Sequence, residues 1–300
     1  MKYKVFITAL FTGLVSGVAA QQLQSSSLYD LQGMIHNASV AGTQENNMVG
    51  LSYRSQWSAI SGSPKTATVF GSFNVARFGI GIGAVVYNDK TGPTSRTGAS
   101  IMLAKHIRGN NGGVFSIGIE NRIQQYAIDK AKLSESLGSD PVLGASDSRF
   151  KYDAGFGISY TNKRVQIGAS VSQLVQSKLN FYSGNLTRSE EARLYRHYYL
   201  HGLYNWYVDG TTVITPNVLF IYLPNAPLDY QVGARVEFQD LFWFGGGYRS
   251  HQSFMLSAGI HIGKKLTLGY AYDNYIAPIS KFDNGADAHE VLLRYTFSKK

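Results

Sequence analysis

The sequence has little of what stabilises or operates a typical soluble enzyme. It contains no cysteine, which excludes disulfide bonds and thiolate metal ligands. Charged residues make up 16% of the 300 positions, whereas soluble chains usually carry about 25%. After the first 20 residues, no apolar run approaches the length of about 20 residues that a membrane-spanning helix needs. These absences disfavour both a disulfide-stabilised domain and a helical membrane protein.

Aromatic residues and glycine are abundant instead. The chain has 20 Tyr, 16 Phe and 32 Gly, a composition unlike that of disordered chains, which lack aromatic residues. It suits a sheet with lipid on one side and water on the other. The net charge of +9 comes from basic residues that are scattered singly. We therefore expect a dispersed basic surface facing lipid phosphates and no nucleic-acid partner.

The N-terminus is typical of an exported protein. A short basic start precedes an apolar stretch over residues 5–15, and small residues lead up to Ala20. This pattern predicts a signal peptide over residues 1–20, cleaved after Ala20. Residues 21–47 lack any periodicity and are expected to form a periplasmic segment or a plug at the mouth of the lumen. Residues 48–300 have the pattern of a β-barrel.

The rest of the chain alternates with a period of two. Val291, Leu293 and Tyr295 point to one face of a strand, and Arg294 and Thr296 point to the other. A soluble sandwich would alternate as well, but many segments here run about ten residues, the length of a tilted strand that crosses a bilayer. Fourteen strands are predicted, at 48–57, 66–75, 79–88, 94–107, 113–126, 150–161, 164–174, 195–208, 211–222, 228–238, 241–249, 252–262, 265–274 and 288–297.

The links between these strands fall into two classes. Short turns with Gly, Asn and Asp follow every even-numbered strand. Long links follow several odd-numbered strands, at 127–149, 175–194 and 275–287. Short turns on one rim and long loops on the other are typical of outer-membrane barrels. The sequence therefore predicts an all-β, antiparallel transmembrane barrel of about 14 strands, with 12 as the alternative and with both termini in the periplasm.

Few residues suggest a catalytic, metal-binding or phosphate-binding site. His197 and His201 share a strand face but would lie about 13 Å apart, too far for one metal ion. Ser250 and His251 are adjacent, so their side chains would face opposite sides of a strand, although a lipid hydrolase stays an alternative. The glycine runs at 79–83 and 245–247 lead into no helix, which disfavours a phosphate cradle and favours close packing in a crowded lumen. We expect no enzyme, no cofactor and no metal site.

Charged residues on the strands are expected to face the lumen. They could line a channel, or they could pair with one another and fill a closed barrel; the sequence leaves both open. These residues are Arg54, Glu120, Arg122, Arg235, Glu237, Arg249, Asp273 and Arg294.

Two groups of segments carry a family resemblance. The first comprises 37–42, 53–60 (with Arg54-Ser55-Gln56-Trp57) and 62–66. The second comprises 269–273 and 289–297. Their order and spacing resemble the PorP/SprF family of the type IX secretion and gliding system of the Bacteroidota. Ala38 is a departure, because the family usually has proline there.

The resemblance implies a non-enzymatic outer-membrane protein. Such a protein belongs to the secretion apparatus with its periplasmic components, or it helps to export and retain a surface adhesin, whose C-terminal domain would be a partner. A channel for small or lipidic solutes is the alternative function. The motif residues singled out as structural or partner-binding candidates are Arg54, Gln56, Trp57, Pro64, Tyr272, Asp273, His289 and Glu290.

A physical hypothesis accompanies three of these candidates. Arg54 is expected to face the lumen and to pair with a carboxylate such as Asp273 or Glu290, because bidentate pairing suits arginine in a restricted space. The pair would join the first strand to the last across the seam of the barrel. By alternation, Gln56 would share the face of Arg54, and Trp57 would lie on the opposite face.

Overall fold

The computed structural model is a single antiparallel sheet that closes on itself. It describes residues 25–43, 47–130, 132, 147–179, 193–224, 226–276, 280 and 287–297. The predicted signal peptide, with its cleavage after Ala20, lies outside these residues. No helix in the described ranges is long and apolar enough to cross a membrane.

Within the described ranges, fifteen strands follow one another around the sheet. They are β1 (Asn47–Gln56), β2 (Lys65–Val75), β3 (Ile80–Thr91), β4 (Thr94–Arg108), β5 (Val114–Ile128), β6 (Asp147–Thr161), β7 (Val165–Ser172), β8 (His197–Tyr204), β9 (Trp206–Tyr207), β10 (Thr212–Tyr222), β11 (Asp229–Phe238), β12 (Phe242–Arg249), β13 (Ser253–Ile262), β14 (Leu266–Tyr275) and β15 (Ala288–Phe297).

The barrel closes through the pairing of β1 with β15, in register from Asn47 opposite Phe297 to Gln56 opposite Ala288. Both β8 and β9 pair with β10 and are separated only by Asn205, so they form one barrel strand. The predicted barrel of 14 strands is therefore confirmed. The strand predicted over 195–208 is interrupted at Asn205.

Alternation separates an outer face from an inner one. In β4, Ile101 is 60% exposed, whereas the next residue, Met102, is 1% exposed. Val69, Phe244 and Leu256 are among the large apolar side chains exposed on other strands. An apolar band on the outer wall is what lipid requires of a transmembrane barrel.

One rim carries short turns throughout, as predicted. Residues 76–79 join β2 to β3, and residues 263–265 join β13 to β14. Gly79, Gly263 and Lys264 adopt left-handed backbone angles, with φ of 59°, 58° and 57°. The long connections on the opposite rim run from β5 to β6, from β7 to β8 and from β14 to β15, and they include most of the undescribed internal residues.

The N-terminal segment, defined here as residues 25–43, lies inside the barrel. It consists of three single 3₁₀ turns, Tyr29–Leu31, Gly33–Ile35 and Ala38–Val40. Its side chains contact strands on all sides of the wall, from β1 and β15 to β6 and β10. The main apolar core lies between this segment and the wall, and it includes Leu28, Leu31, Met34, Ala38, Ala41, Met48, Phe70, Val85, Met102, Trp243, Ala271 and Leu292.

Candidate functional site

The first part of the site is a buried ion network at the seam between β1 and β15. The Nη2 atom of Arg54 lies 2.6 Å from Oδ2 of Asp273, and its Nη1 atom lies 3.3 Å from Oε2 of Glu290. All three side chains are 3% exposed or less. Arg54 and Glu290 occupy directly opposite positions on β1 and β15. The structure thus brings these three candidates together on the lumenal side of the closure.

The N-terminal segment completes this network. The Ser26 hydroxyl donates to Oε1 of Glu290 at 2.6 Å, and the Ser27 backbone N–H donates to Oε2 at 2.7 Å. The Ser27 hydroxyl donates to Oδ1 of Asp273 at 2.6 Å. Buried carboxylates need several such donors to offset the loss of hydration. The network therefore fastens the segment to the seam as well as closing the barrel.

A second arginine balances the charge of the network. Nη1 of Arg249, on β12, lies 3.2 Å from Oδ2 of Asp273, and Nη2 donates to the Ser27 hydroxyl at 3.3 Å. With Arg54 the network contains two guanidinium groups and two carboxylates, so it carries no net charge when all are ionised. Removing either carboxylate would leave a buried positive charge in excess.

Gln56, Trp57 and Pro64 lie at the end of β1. The Gln56 N–H donates to the Pro64 carbonyl at 2.9 Å, and its side-chain amide donates to the hydroxyl of Tyr275 at 2.8 Å. The expectation that Trp57 lies on the opposite face from Gln56 is wrong. The strand ends at Gln56 and Trp57 has a φ of 52°, which turns its ring edge-on to Tyr275 at 6.3 Å.

Tyr272 and His289 lie on the outer wall. They alternate with the buried Asp273 and Glu290, and their rings are 5.5 Å apart. Nδ1 of His289 is 2.7 Å from the hydroxyl of Tyr270. The candidate residues therefore divide into a lumenal network and an aromatic patch on the lipid-facing side of the same seam.

The remaining lumenal charges also have partners. Arg122 pairs with Glu120 at 2.6 Å, and Arg235 pairs with Asp30 of the N-terminal segment at 2.8 Å. The other contacts are His261 to Glu237 at 3.7 Å and Arg294 to the Leu31 carbonyl at 3.4 Å. Of the two arrangements that the sequence left open, the structure contains the paired one.

The second part of the site is a row of glycines on the far side of the lumen. Gly81, Gly118 and Gly157 face inward from β3, β5 and β6. A Cβ atom at Gly118 would overlap the backbone of Ser39, and one at Gly81 would overlap the Ala41 carbonyl. Only glycine lets the segment approach the wall so closely. The sequence signal for this seat is glycine at inward positions of neighbouring strands.

Asn37 connects the segment to this wall. Its Oδ1 accepts from the Ser39 N–H at 3.0 Å and caps the third 3₁₀ turn. Its amide nitrogen donates to the Ile158 carbonyl at 3.0 Å and lies 3.0 Å from Nε2 of His201. Close by, burial and, to a smaller extent, the neighbouring His201 and Arg122 together lower the pKa of His36 to about 4. His36 is therefore neutral at pH 7.

The serine and histidines considered for metal binding or hydrolysis are not arranged for either. Within the described ranges no group of three or more His, Cys, Asp or Glu side chains is placed to hold a metal ion. The Ser250 hydroxyl donates to Asp229 at 2.6 Å, and His251 is exposed with a φ of 56°. Because the Ser250 hydroxyl donates to a carboxylate and not to the neighbouring histidine, Ser250 and His251 do not form the nucleophile–base pair that a hydrolase needs.

Small cavities remain beside the N-terminal segment. One of about 20 Å³ lies between the segment and β1–β2 and is lined in part by Ser26, Ser52 and Arg54. Another of about 30 Å³ lies against β10–β13, near Asp30 and Trp243. Volumes of this size hold about one or two water molecules.

Comparisons with known proteins agree with this geometry. Residues 17–295 match the family described as type IX secretion system membrane protein PorP/SprF. No curated protein matches the chain in sequence. One similar solved structure is the CymD monoaromatic hydrocarbon channel, with a TM-score of 0.52 and 11% identity over 89% of this chain and 92% of that one.

Two further structures are similar in shape. A TodX deltaS2S3 mutant monoaromatic hydrocarbon channel has a TM-score of 0.51 and 7% identity over 89% of this chain and 94% of that one. Omp33 of Acinetobacter baumannii, an outer membrane protein, has a TM-score of 0.48 and 7% identity over 86% of this chain and 100% of that one. At such identities CymD and TodX show the fold alone. Since the family model covers most of its length, the chain belongs to the PorP/SprF family of type IX secretion system membrane proteins.

Proposed function

We propose that this outer-membrane barrel docks a secreted partner protein, such as an adhesin, and supports its export or its retention at the cell surface. The observation that carries the proposal is the N-terminal segment, which occupies the lumen and is bonded to the wall on opposite sides. A barrel filled in this way is suited to present rims and walls to other proteins. Membership of the type IX secretion family supports the same role.

The N-terminal segment acts as a plug in this proposal. Its serine hydroxyls satisfy the buried carboxylates Asp273 and Glu290, and its Asp30 pairs with Arg235 of β11. Withdrawal would leave Arg235 without its carboxylate and would remove the hydrogen bonds that the segment donates to Asp273 and Glu290, although these two stay paired with arginines of the wall, so it is unfavourable. The segment therefore stays in place during docking, and the barrel behaves as a closed body.

The two rims would serve different partners. The short turns lie on the rim that also carries the start of β1 and the end of β15, which in outer-membrane barrels faces the periplasm. Periplasmic components of the secretion system would meet that rim. The adhesin, or its C-terminal domain, would meet the rim of the long connections. Tyr272 and His289 face outward and are free of the lumenal network, so they are the better candidates for contact with a membrane-embedded partner.

A deletion strain tests this proposal. Loss of one surface protein with unchanged uptake of small solutes is expected, and return of that protein on complementation with the full-length gene is required. An unchanged set of surface proteins with impaired uptake of a solute would favour the channel alternative. CymD and TodX are described as hydrocarbon channels, but their identity to this chain is too low to carry that activity over.

Arg54→Ala tests whether the seam network is structural. We expect the variant to lose barrel stability and, as a consequence, the surface protein. A variant with a stable, correctly assembled barrel that still fails to display the partner would instead make Arg54 a partner contact. His289→Ala, on the outer wall of the same seam, is the matched variant in which stability is expected to be kept.

Export through the signal peptide belongs to the same proposal. Cleavage after Ala20 would make Gln21 the N-terminal residue of the protein in the outer membrane. The intact mass of the purified membrane protein measures this directly. Retention of Met1 would contradict it.

A further inference from the structure

A large cavity lies at the extracellular end of β2 and β3, outside the plugged lumen. Its volume is about 890 Å³, within the range of about 300–1,000 Å³ that small-molecule sites occupy. The lining residues are Ser58, Ala59, Ile60, Ser61, Gly62, Ser63, Lys65, Lys90, Gly92, Pro93 and Lys132. Much of this lining is the loop of the motif that carried the family resemblance. That loop has no part in the seam network.

The charged side chains among the described lining residues are all lysines. Lys65 on β2 and Lys90 on β3 are direct partners across the antiparallel pair. Like charges directly opposite one another destabilise a sheet. Lys132 adds a third ammonium group, and its Nζ lies 3.8 Å from Asp129; none of the described residues that line the cavity is a carboxylate. An anion placed between Lys65 and Lys90 would turn an unfavourable pair into a binding site.

The orientation of the two lysines identifies the side from which the anion would come. Thr66, next to Lys65, is buried and donates to Asp89 inside the barrel. Lys65 therefore shares the outer face with Ala67 and with Val69, which is 59% exposed. Lys65 is the first residue of β2, so the pair stands at the upper edge of the lipid-facing wall. Lipid headgroups occupy that level of the membrane.

The loop above the lysines is held in a fixed shape. The Gly92 N–H donates to the Gly62 carbonyl at 2.7 Å, which ties the β1–β2 loop to the β3–β4 turn. Gly62 and Gly92 have φ values of 74° and 55°, conformations that glycine adopts without strain. Ser58, Ser61 and Ser63 bring hydroxyl groups to the lining. The cavity thus combines cationic and hydroxyl donors on a preformed frame.

We propose that this cavity binds the phosphate group of a glycolipid in the outer leaflet, with Lys65 and Lys90 as its principal ligands. Ammonium groups bind phosphate as point charges, and the serine hydroxyls would contact the sugar. An acidic protein segment is the less favoured occupant, because the lysines face the membrane side of the wall. Neither the seam network nor the adhesin role is needed for this site.

The test measures lipid binding to the purified full-length protein in detergent. The probes are phosphorylated lipid A, the same lipid after removal of its phosphates, and inorganic phosphate. We expect the double variant Lys65→Gln/Lys90→Gln to bind phosphorylated lipid A at least about tenfold more weakly, since it loses two charge-assisted contacts. The matched control is Lys264→Gln/Lys265→Gln, two exposed lysines on the opposite rim, which should bind as the unaltered protein does.

Three results would overturn the proposal. One is equal affinity for the phosphorylated and dephosphorylated lipids, and another is unchanged binding by the Lys65→Gln/Lys90→Gln variant. The third is binding of inorganic phosphate as tightly as lipid A, which would make the site one for a free anion. The thermal midpoint of the lipid-free double variant serves as the folding control. It should equal or exceed that of the unaltered protein, because the opposed charges are gone.

Discussion

The N-terminal segment is held in two different ways on the two sides of the lumen. At the seam, Ser26 and Ser27 bind a charged network of β1, β12, β14 and β15. On the far side, residues 37–42 lie directly against glycines of β3, β5 and β6. The seam side depends on charge and hydrogen bonds, whereas the glycine side depends on the absence of side chains. Loss of a charge should therefore weaken the hold on the seam side, and addition of a methyl group should weaken the hold on the glycine side.

Loss of charge at the seam should have the largest effect. Asp273→Asn leaves Arg54 and Arg249 buried around a neutral amide. Breaking a buried ion pair in this way costs about 3–5 kcal/mol. The free energy of unfolding in urea, measured on the protein in lipid vesicles, checks this. The control is Asp240→Asn, whose partner Lys264 is 81% exposed; that pair is worth less than about 1 kcal/mol. Equal losses of unfolding free energy in the two variants would show that the seam network stabilises the barrel no more than an exposed ion pair does.

A methyl group on the glycine side should have the next largest effect. Gly118→Ala places a Cβ atom against the backbone of Ser39, so the segment must shift. We expect a loss of about 1–3 kcal/mol, the usual cost of overpacking, and faster protease cleavage within residues 25–43. At Gly202 a new Cβ would lie 3.6 Å from Cγ1 of Val218, an ordinary contact. Gly202→Ala is thus the matched control, and a similar response from both variants would contradict the close seat.

Asn37 tests the polar contacts of the glycine side. Asn37→Ala removes the cap of the Ala38–Val40 turn and the bond to the Ile158 carbonyl. The expected loss is about 1–2 kcal/mol, measured by the same unfolding experiment. Asn111→Ala, in an exposed turn where its side chain accepts one bond from the Gly113 N–H, should cost less. A larger loss of unfolding free energy in Asn111→Ala than in Asn37→Ala would show that Asn37 does not hold the segment against the wall.

Acidification should have the smallest effect, again through the segment. Burial lowers the pKa of His36 from 6.5 to about 4, so the unfolded chain takes up a proton in that interval before the folded one does. This contribution to stability is complete above pH 6.5 and is lost as the pH falls towards 4. Between pH 7 and pH 5.5 the unaltered protein should lose about 1 kcal/mol more than His36→Gln. Identical losses in the two proteins would show that burial does not lower the pKa of His36.

The two sides also differ in how far the sequence predicts them. The strands follow from local alternation and turn residues, and the proximity of Arg54 to Asp273 and Glu290 follows from closure of the first strand against the last. The seat of the segment does not follow, because residues 25–43 have no period and their 3₁₀ turns depend on contacts with the wall. The glycine run at 79–83 predicts close packing in the lumen, but Gly118 and Gly157 by themselves predict only a weak strand, and the residues packed against all of them depend on the fold of the segment. The predicted face of Trp57 is wrong because alternation assumes an extended backbone, whereas Trp57 has a positive φ, which is unusual for a bulky residue.

We propose that the barrel is closed by its own N-terminal segment and works as a docking body. Conductance of the purified full-length protein in planar lipid bilayers tests this claim most directly. We expect no steady conductance from the unaltered protein, because paired charges and the segment fill the lumen. A steady, solute-selective conductance from that protein would contradict it and would establish a channel in its place.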